Sequence, residues 1–272
     1  MADLRTRTAS AIVMIVLALA SAWSGGQIFV LFWLVACFAV LWEWQKMIGG
    51  DASLARLLAG AAGLAAAAAL VGVAHLAAAC GVLVLASAGV AWLAGSGRGV
   101  WAAAGCLYAG LLLISVLVLR ASLALGFEAV VWLFAIVWST DIGAYFAGRA
   151  IGGPKLWPAV SPSKTWAGFV GGVLCGGLAG TALYALAISG RPGGWITMFF
   201  LALALAALSQ GGDLFESSLK RRYGVKDSSS LIPGHGGFMD RLDGFWAACV
   251  CAALIGVVRG GEVNAAHGLF SW

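Results

Sequence analysis

Apolar runs of nearly 20 residues, separated by short polar or glycine-containing breaks, dominate this chain of 272 residues. Because 62% of the residues are hydrophobic and only 10% are charged, no polar stretch is long enough to enclose a separate aqueous core. A run of this length matches one helical crossing of a bilayer. The sequence therefore predicts an all-α polytopic membrane protein.

The breaks divide the apolar part of the chain into about nine predicted transmembrane helices. Their approximate spans are 10–24, 27–45, 54–73, 76–94, 100–119, 128–147, 166–188, 195–215 and 243–259. We interpret them as one integrated membrane domain in which residues 1–127 form a scaffold and residues 128–272 carry a polar site. The first run ends in an A-x-A pattern, Ala20-Ser21-Ala22, but small residues are common throughout and we expect this helix to be retained.

The cations are distributed unevenly between the two predicted membrane faces. With nine spans, all but three of the 16 Lys and Arg fall on the side of the N-terminus, the exceptions being Arg120, Arg191 and Arg259. Positive residues accumulate in cytoplasmic loops. The polar site is therefore predicted to face the cytoplasm, in what we expect to be a bacterial inner membrane. The net charge of +5 follows from topology and does not indicate nucleic-acid binding.

The segment from Asp213 to Asp243 contains five of the 16 basic and five of the 11 acidic residues. Ionised groups beside a bilayer are costly, so such a cluster indicates a functional site. On a helix, Asp213, Glu216, Ser217 and Lys220 share one face, and Asp240 and Asp243 share another. Converging carboxylates are the ligands that Mg²⁺ prefers, so Asp213, Asp240 and Asp243 are predicted to bind it.

Basic residues and turn residues surround these acids. Lys220, Arg221, Lys226 and Arg241 have the density of a site for several phosphates, and the turn residues Asp227, His235, Gly236 and Gly237 add polar groups and backbone donors. Upstream, Asp141 lies inside the sixth span and Lys164 lies in the loop that follows it. Asp141 indicates either a polar cavity or a structural hydrogen bond to a neighbouring helix, and a basic loop could equally meet anionic lipid headgroups.

Two further features are predicted to be structural. Glu43 lies between Trp42 and Trp44, so we interpret it as a solvated carboxylate in an interfacial aromatic belt. Glycines recur at every fourth position of the seventh span, at Gly168, Gly172, Gly176 and Gly180. Such a ridge allows close helix approach, within the chain or across a dimer.

Several of these motifs resemble one enzyme family. The run Ser217-x-x-Lys220-Arg221 through Lys226-Asp227, His235-Gly236-Gly237 and Asp240-Arg241-x-Asp243 resembles the defining motif of the phosphatidate cytidylyltransferases, also called CDP-diglyceride synthases. Asp141-x-x-Ala144-Tyr145 and Ser161-Pro162-x-Lys164-Thr165-Trp166 are also similar to that family. The resemblance covers about residues 132–246. It departs at Ala167, where the family is expected to have Glu.

The resemblance implies a membrane enzyme that converts CTP and phosphatidate into CDP-diacylglycerol and pyrophosphate. It implies Mg²⁺ as cofactor, leaves a second, monovalent cation open, and makes residues 128–272 the catalytic region. We expect a homodimer. The implied catalytic residues are Asp213, Lys220, Asp240 and Asp243, and the implied substrate-binding residues are Asp141, Lys164, Ser217, Arg221, Lys226, Asp227, His235, Gly236, Gly237 and Arg241.

Two other functions are compatible with the same charges. A transporter of an anionic substrate would place them at a gate, and a CTP-dependent polyprenol or lipid kinase would bind similar phosphates. A CDP-alcohol phosphotransferase is disfavoured because its D-G-x-x-A-R motif is absent from the sequence.

Overall fold

The computed structural model of the chain describes residues 4–49, 54–188 and 194–272. Within these ranges, nine helices are long and apolar enough to cross a membrane, which confirms the predicted number and an integral membrane protein. Arg191, one of the three cations predicted on the far side, lies outside the described residues.

The elements follow one another as a nearly continuous series of helices. They are α1 Leu4–Ser24, α2 Gly26–Met47, α3 Leu54–Gly72, α4 Leu76–Ala94, α5 Gly99–Ala121, α6 Gly126–Ile151, β1 Lys155–Trp157, β2 Ser161–Thr165, α7 Trp166–Leu183 with a π-helical turn Tyr184–Ile188, α8 Trp195–Arg222, α9 Met239–Gly260 and α10 Ala265–Phe270.

Four helices extend by four residues or more beyond the apolar runs that predicted them. Helix α1 already begins at Leu4, α6 continues to Ile151, α8 continues to Arg222, and α9 already begins at Met239. Hydropathy marks only the apolar part of a helix, whereas the hydrogen-bonded backbone continues through charged turns. The segment predicted as a loop after α6 contains the antiparallel hairpin β1–β2, in which Lys155 pairs with Thr165.

The chain divides into two compact units. The first unit contains Met1–Ala121 and Arg222–Arg241, and the second contains Ser122–Arg221 and Leu242–Trp272. In the first unit α5 packs against α2, α3 and α4. Two side chains of α2 bond to the start of α5: Trp44 Nε1 donates to the carbonyl of Trp101 at 2.8 Å, and Gln45 Nε2 donates to that of Ala102 at 2.8 Å.

In the second unit the glycine ridge of α7 lies between α6 and α8. Gly172 faces the carbonyl of Thr140 on α6, and Gly180 faces Ile136 on α6 and Ala202 on α8. All four glycines of the ridge are buried. The predicted close approach therefore occurs within the chain, because backbones can come together only where no side chain separates them.

A methyl group on this ridge is expected to destabilise the protein. In Gly176→Ala the new Cβ would overlap Thr140 Oγ1 and would come within 2.9 Å of Ala206 Cβ. We expect a loss of about 1–3 kcal/mol, the usual cost of overpacking. The matched control is Gly211→Ala in α8, where nothing lies within 4 Å of the new Cβ and where alanine favours the helix. The Tm is measured by thermal unfolding in detergent, followed by tryptophan fluorescence. It should fall for Gly176→Ala and stay at the wild-type value for Gly211→Ala. A wild-type Tm for Gly176→Ala would contradict the packing.

Candidate active site

Three carboxylates of the second unit converge where α8 and α9 carry their charged turns. Asp213 and Glu216 lie on α8 and Asp243 lies on α9. Each offers an oxygen, and these oxygens all lie within 4.8 Å of one another. Glu216 is only 1% exposed, which is rare for a carboxylate unless it is paired. We call these three residues the acidic cluster.

Two lysines contact the acidic cluster. Lys164 Nζ lies 2.6 Å from Asp213 Oδ2, and Lys220 Nζ lies 2.7 Å from Glu216 Oε2. Lys220 is placed by helix geometry, one turn after Glu216. Ser217 donates from Oγ to Asp213 Oδ1 at 3.2 Å and so helps to orient that carboxylate.

Lys164 reaches the acidic cluster because the β-hairpin holds it directly before α7. The next residue, Thr165, caps that helix by accepting a hydrogen bond from Gly168 N at 3.1 Å. The turn of the hairpin is held by Arg221, whose Nε donates to the carbonyl of Val160 at 3.4 Å. The motif around Lys164 is thus a strand followed by a helix cap.

The charges of this site favour a bound cation. Asp141 on α6 lies within electrostatic range of Asp243, which adds a fourth carboxylate beside the acidic cluster and its lysines Lys164 and Lys220. An oxygen-only donor set of converging carboxylates suits a hard divalent cation such as Mg²⁺. The residues therefore fit a metal site.

In the first unit, two buried carboxylates hold the loop between α8 and α9. Glu43 Oε1 accepts hydrogen bonds from Ser229 Oγ at 2.6 Å and from Phe238 N at 2.9 Å, and its Oε2 accepts one from Met239 N at 2.7 Å. Glu43 is fully buried. The expectation of a solvated Glu43 is therefore wrong: it is the anchor of a distant loop.

The second of these carboxylates is Asp240. Its Oδ2 accepts hydrogen bonds from Ser228 N at 2.9 Å and from Gly237 N at 2.7 Å. The Ser228 hydroxyl lies 2.8 Å from the same oxygen and 3.2 Å from Glu43 Oε2. Gly236 has a φ of 83°, and a Cβ there would lie 2.6 Å from Asp240 Oδ2. The turn therefore needs glycine both for its left-handed conformation and for its close approach to Asp240.

The same loop lines a polar cavity of about 610 Å³ in the first unit, which we call the basic cavity. Its walls include Arg7 of α1 together with Lys226, Asp227, His235 and Arg241. Two arginines and one lysine line this cavity together with a single carboxylate, so the cavity is attractive to anions.

The surroundings of His235 favour its uncharged form. Burial and the positive charge of Arg241, with a smaller effect of Arg7, hold its pKa below the usual range, although a hydrogen bond with the Pro233 backbone acts in the opposite direction. Its Nδ1 lies 2.8 Å from Ser10 Oγ, which also lies 3.0 Å from the carbonyl oxygen of Pro233. These contacts attach the loop to α1.

The structure distributes the predicted site residues between the two units. In the second unit are Asp141, Lys164, Asp213, Ser217, Lys220, Arg221 and Asp243, and in the first unit are Lys226, Asp227, His235, Gly236, Gly237, Asp240 and Arg241. Within its unit, Arg221 is engaged with the hairpin backbone.

Four residues of these sites were not assigned to them from the sequence: Glu43, Glu216, Arg7 and Ser10. Glu216 could have been selected, because it lies one turn after Asp213 on the same helical face. Glu43 carried a weaker signal, an isolated carboxylate in an apolar run. Arg7 and Ser10 carried none beyond their place at the start of α1.

Comparison with known proteins agrees with this chemistry. Residues 5–258 match the model of the cytidylyltransferase family. The chain is 42% identical over 266 residues to the phosphatidate cytidylyltransferase of Brucella suis biovar 1, and 42% identical over 269 residues to that of Brucella melitensis biotype 1, with 95% of each chain covered. It is 43% identical to the Bacillus subtilis enzyme of the same name over 120 residues, 44% of each chain. The chain therefore belongs to the phosphatidate cytidylyltransferase family.

Proposed function

We propose that this protein transfers the cytidylyl group of CTP to phosphatidate, giving CDP-diacylglycerol and pyrophosphate. The observation that carries the proposal is the acidic cluster with Lys164 and Lys220 in direct contact, on a chain that belongs to this family. In the reaction, an oxygen of the lipid phosphate forms a bond to the α-phosphorus of CTP. The bond between that phosphorus and the α–β bridging oxygen breaks, and pyrophosphate leaves with the electron pair.

The lipid phosphate is already an anionic nucleophile, so the reaction needs no general base. What it needs is the approach of two anions and the neutralisation of charge on the leaving group. When the nucleotide binds, the ammonium groups of Lys164 and Lys220 can leave their carboxylate partners and form ion pairs with phosphate oxygens. Ser217 keeps Asp213 oriented while its lysine partner moves.

Asp213, Glu216 and Asp243 are proposed to hold Mg²⁺. Bound there, the ion would neutralise negative charge on the triphosphate. Asp240 stays a predicted ligand; its contacts in the first unit also support a role in holding the loop, and the two roles are separated experimentally below. A second, monovalent cation also remains a prediction.

The loop residues are proposed to bind substrate phosphate through the basic cavity. Lys226 and Arg241 supply the charge, while His235 and the backbone around Gly236 and Gly237 supply hydrogen bonds. The carboxylate of Asp227 offsets part of the positive charge in the basic cavity.

We propose that the acidic cluster and the basic cavity face the cytoplasm and that the protein is a homodimer in a bacterial inner membrane. Residues 1–127 would serve mainly as scaffold and residues 128–272 as the catalytic region. A CTP-dependent lipid kinase and an anion transporter are not favoured, because the near full-length relatives carry the name of the cytidylyltransferase.

The test is a turnover assay of the purified protein in detergent. Pyrophosphate release from CTP should require both phosphatidate and Mg²⁺, and CDP-diacylglycerol should appear in equal amount. Release of CDP with a phosphorylated lipid would instead indicate a kinase. Failure of the folded protein to turn over in a lipid-supplemented assay would overturn the proposal.

A further inference from the structure

An apolar groove lies along α1 in the first unit. It has a volume of about 730 Å³, and almost all of its surface is apolar; Ala9, Val13 and Leu17 of α1 form one wall, and Leu231 and Phe238 of the loop form the other. Val13 and Leu17, one helical turn apart, are 55% and 52% exposed. Because α1 is long and apolar enough to cross a membrane, the exposed apolar wall of this groove suits contact with acyl chains.

The groove adjoins the basic cavity. Ile232 and Pro233 line both, so the apolar and the cationic surfaces meet at one edge of the loop. Arg7 lines the basic cavity, and Arg5 lines the groove. The contact of Ser10 with His235 fixes α1 against the loop at this junction.

This combination of surfaces selects among anions. A nucleotide triphosphate would use the cations but has no apolar part for the groove. A phospholipid with a bare phosphate monoester uses both, because its acyl chains match the groove and its phosphate matches Arg7, Lys226 and Arg241. A larger headgroup would compete with the cavity walls.

We propose that the groove on α1 and the basic cavity together form the docking site of phosphatidate, with Arg7 as a contact of the lipid phosphate. This inference rests on the proposed function and assigns its two phosphate-bearing substrates: the lipid to the first unit's cavity, and the triphosphate to the lysines at the acidic cluster. It gives α1 a part in substrate binding.

Kinetics in mixed micelles separate the two substrates. Arg7→Gln removes a charge from the cavity, and Ala9→Phe fills the groove from an exposed position. Each should raise the KM for phosphatidate about fivefold and leave the KM for CTP within about twofold. For Arg7→Gln the reason is the loss of one contact to a lipid phosphate near the membrane surface, and for Ala9→Phe it is the loss of room for an acyl chain. The matched controls are Arg98→Gln, an exposed loop arginine, and Ala20→Phe, an exposed alanine of α1 outside the groove. A rise in the KM for CTP instead, or equal effects of the controls, would overturn the assignment.

Photolabelling provides a readout that does not depend on turnover. A phosphatidate carrying a diazirine in one acyl chain should label wild-type protein within residues 5–17 and 231–238, and excess unlabelled phosphatidate should suppress that labelling more than phosphatidylcholine does. Labelling there by an inactive protein would leave the docking site intact while the proposed function fails. An active protein labelled only elsewhere would overturn the docking site alone.

Discussion

Asp243→Asn is expected to reduce kcat by about 100-fold to 1,000-fold, because it weakens the proposed site of the ion that would neutralise charge on the transferring phosphate. The substitution keeps the size of the side chain and the oxygen that accepts from Gly244 N at 2.8 Å, so the fold should survive. It removes one charge from the acidic cluster, so the Mg²⁺ concentration for half-maximal activity should rise together with the fall in kcat. Both are measured by titrating Mg²⁺ in the pyrophosphate-release assay.

Asp240→Asn, three residues earlier on the same helix, is the informative partner of this experiment. If Asp240 acts by accepting hydrogen bonds from Ser228 and Gly237, its variant should lower the Tm and leave the Mg²⁺ requirement unchanged. If it is a metal ligand, its Mg²⁺ titration should shift as that of Asp243→Asn does.

A wild-type Mg²⁺ titration and a wild-type kcat for Asp243→Asn would remove the acidic cluster from the mechanism. Glu128→Gln, in the first turn of α6, controls for the loss of a charge.

Glu43→Ala is expected to be the most destabilising substitution in the first unit. It removes the acceptor of the Phe238 and Met239 backbone N–H groups and of the Ser229 hydroxyl. A buried donor left without a partner costs about 1–3 kcal/mol, so we expect a loss of about 3 kcal/mol or more, together with the activity that depends on the loop. Thermal unfolding in detergent measures the first effect, and the turnover assay measures the second.

The conservative variant Glu43→Gln tests whether charge or shape matters. In either orientation of the amide, its NH₂ group would face a backbone N–H, that of Phe238 or that of Met239. We therefore expect a clear fall in Tm despite the equal size, whereas Glu128→Gln and Glu128→Ala should change stability by less than about 1 kcal/mol. A wild-type Tm for Glu43→Gln would mean that the carboxylate does not hold the loop.

The membrane architecture could be predicted from the sequence because it depends on local hydropathy. Each span is recognised by its own residues, and the part of the chain that the structure describes contains the nine that were predicted. The ends of α8 and α9 were missed, since the charges of Lys220 and Asp240 interrupt the apolar signal but not the helix. The pairing of β1 with β2 was missed as well, because strands of three and five residues show too little alternation to be recognised.

The site was predictable only where its residues are neighbours along one helix. Asp213, Ser217 and Lys220 could be grouped by the helical repeat. No repeat connects Lys164 with Asp213, or Glu43 with Ser228, which lies 185 residues later in the chain. Such contacts are fixed by tertiary packing, which a single sequence does not encode in a periodic form. The resemblance to the family supplied Lys164 but not Glu43.

The glycine ridge of α7 also bears on how variants of this protein are interpreted. Gly148 of α6 and Gly168 of α7 meet beside Thr165, the residue after Lys164. A side chain added to the ridge would act as a wedge between the two helices and lift the hairpin, which would lengthen the 2.6 Å contact of Lys164 with Asp213. A substitution between two apolar helices would then present as weaker binding of the nucleotide that we propose to contact Lys164, with the polar residues themselves unaltered.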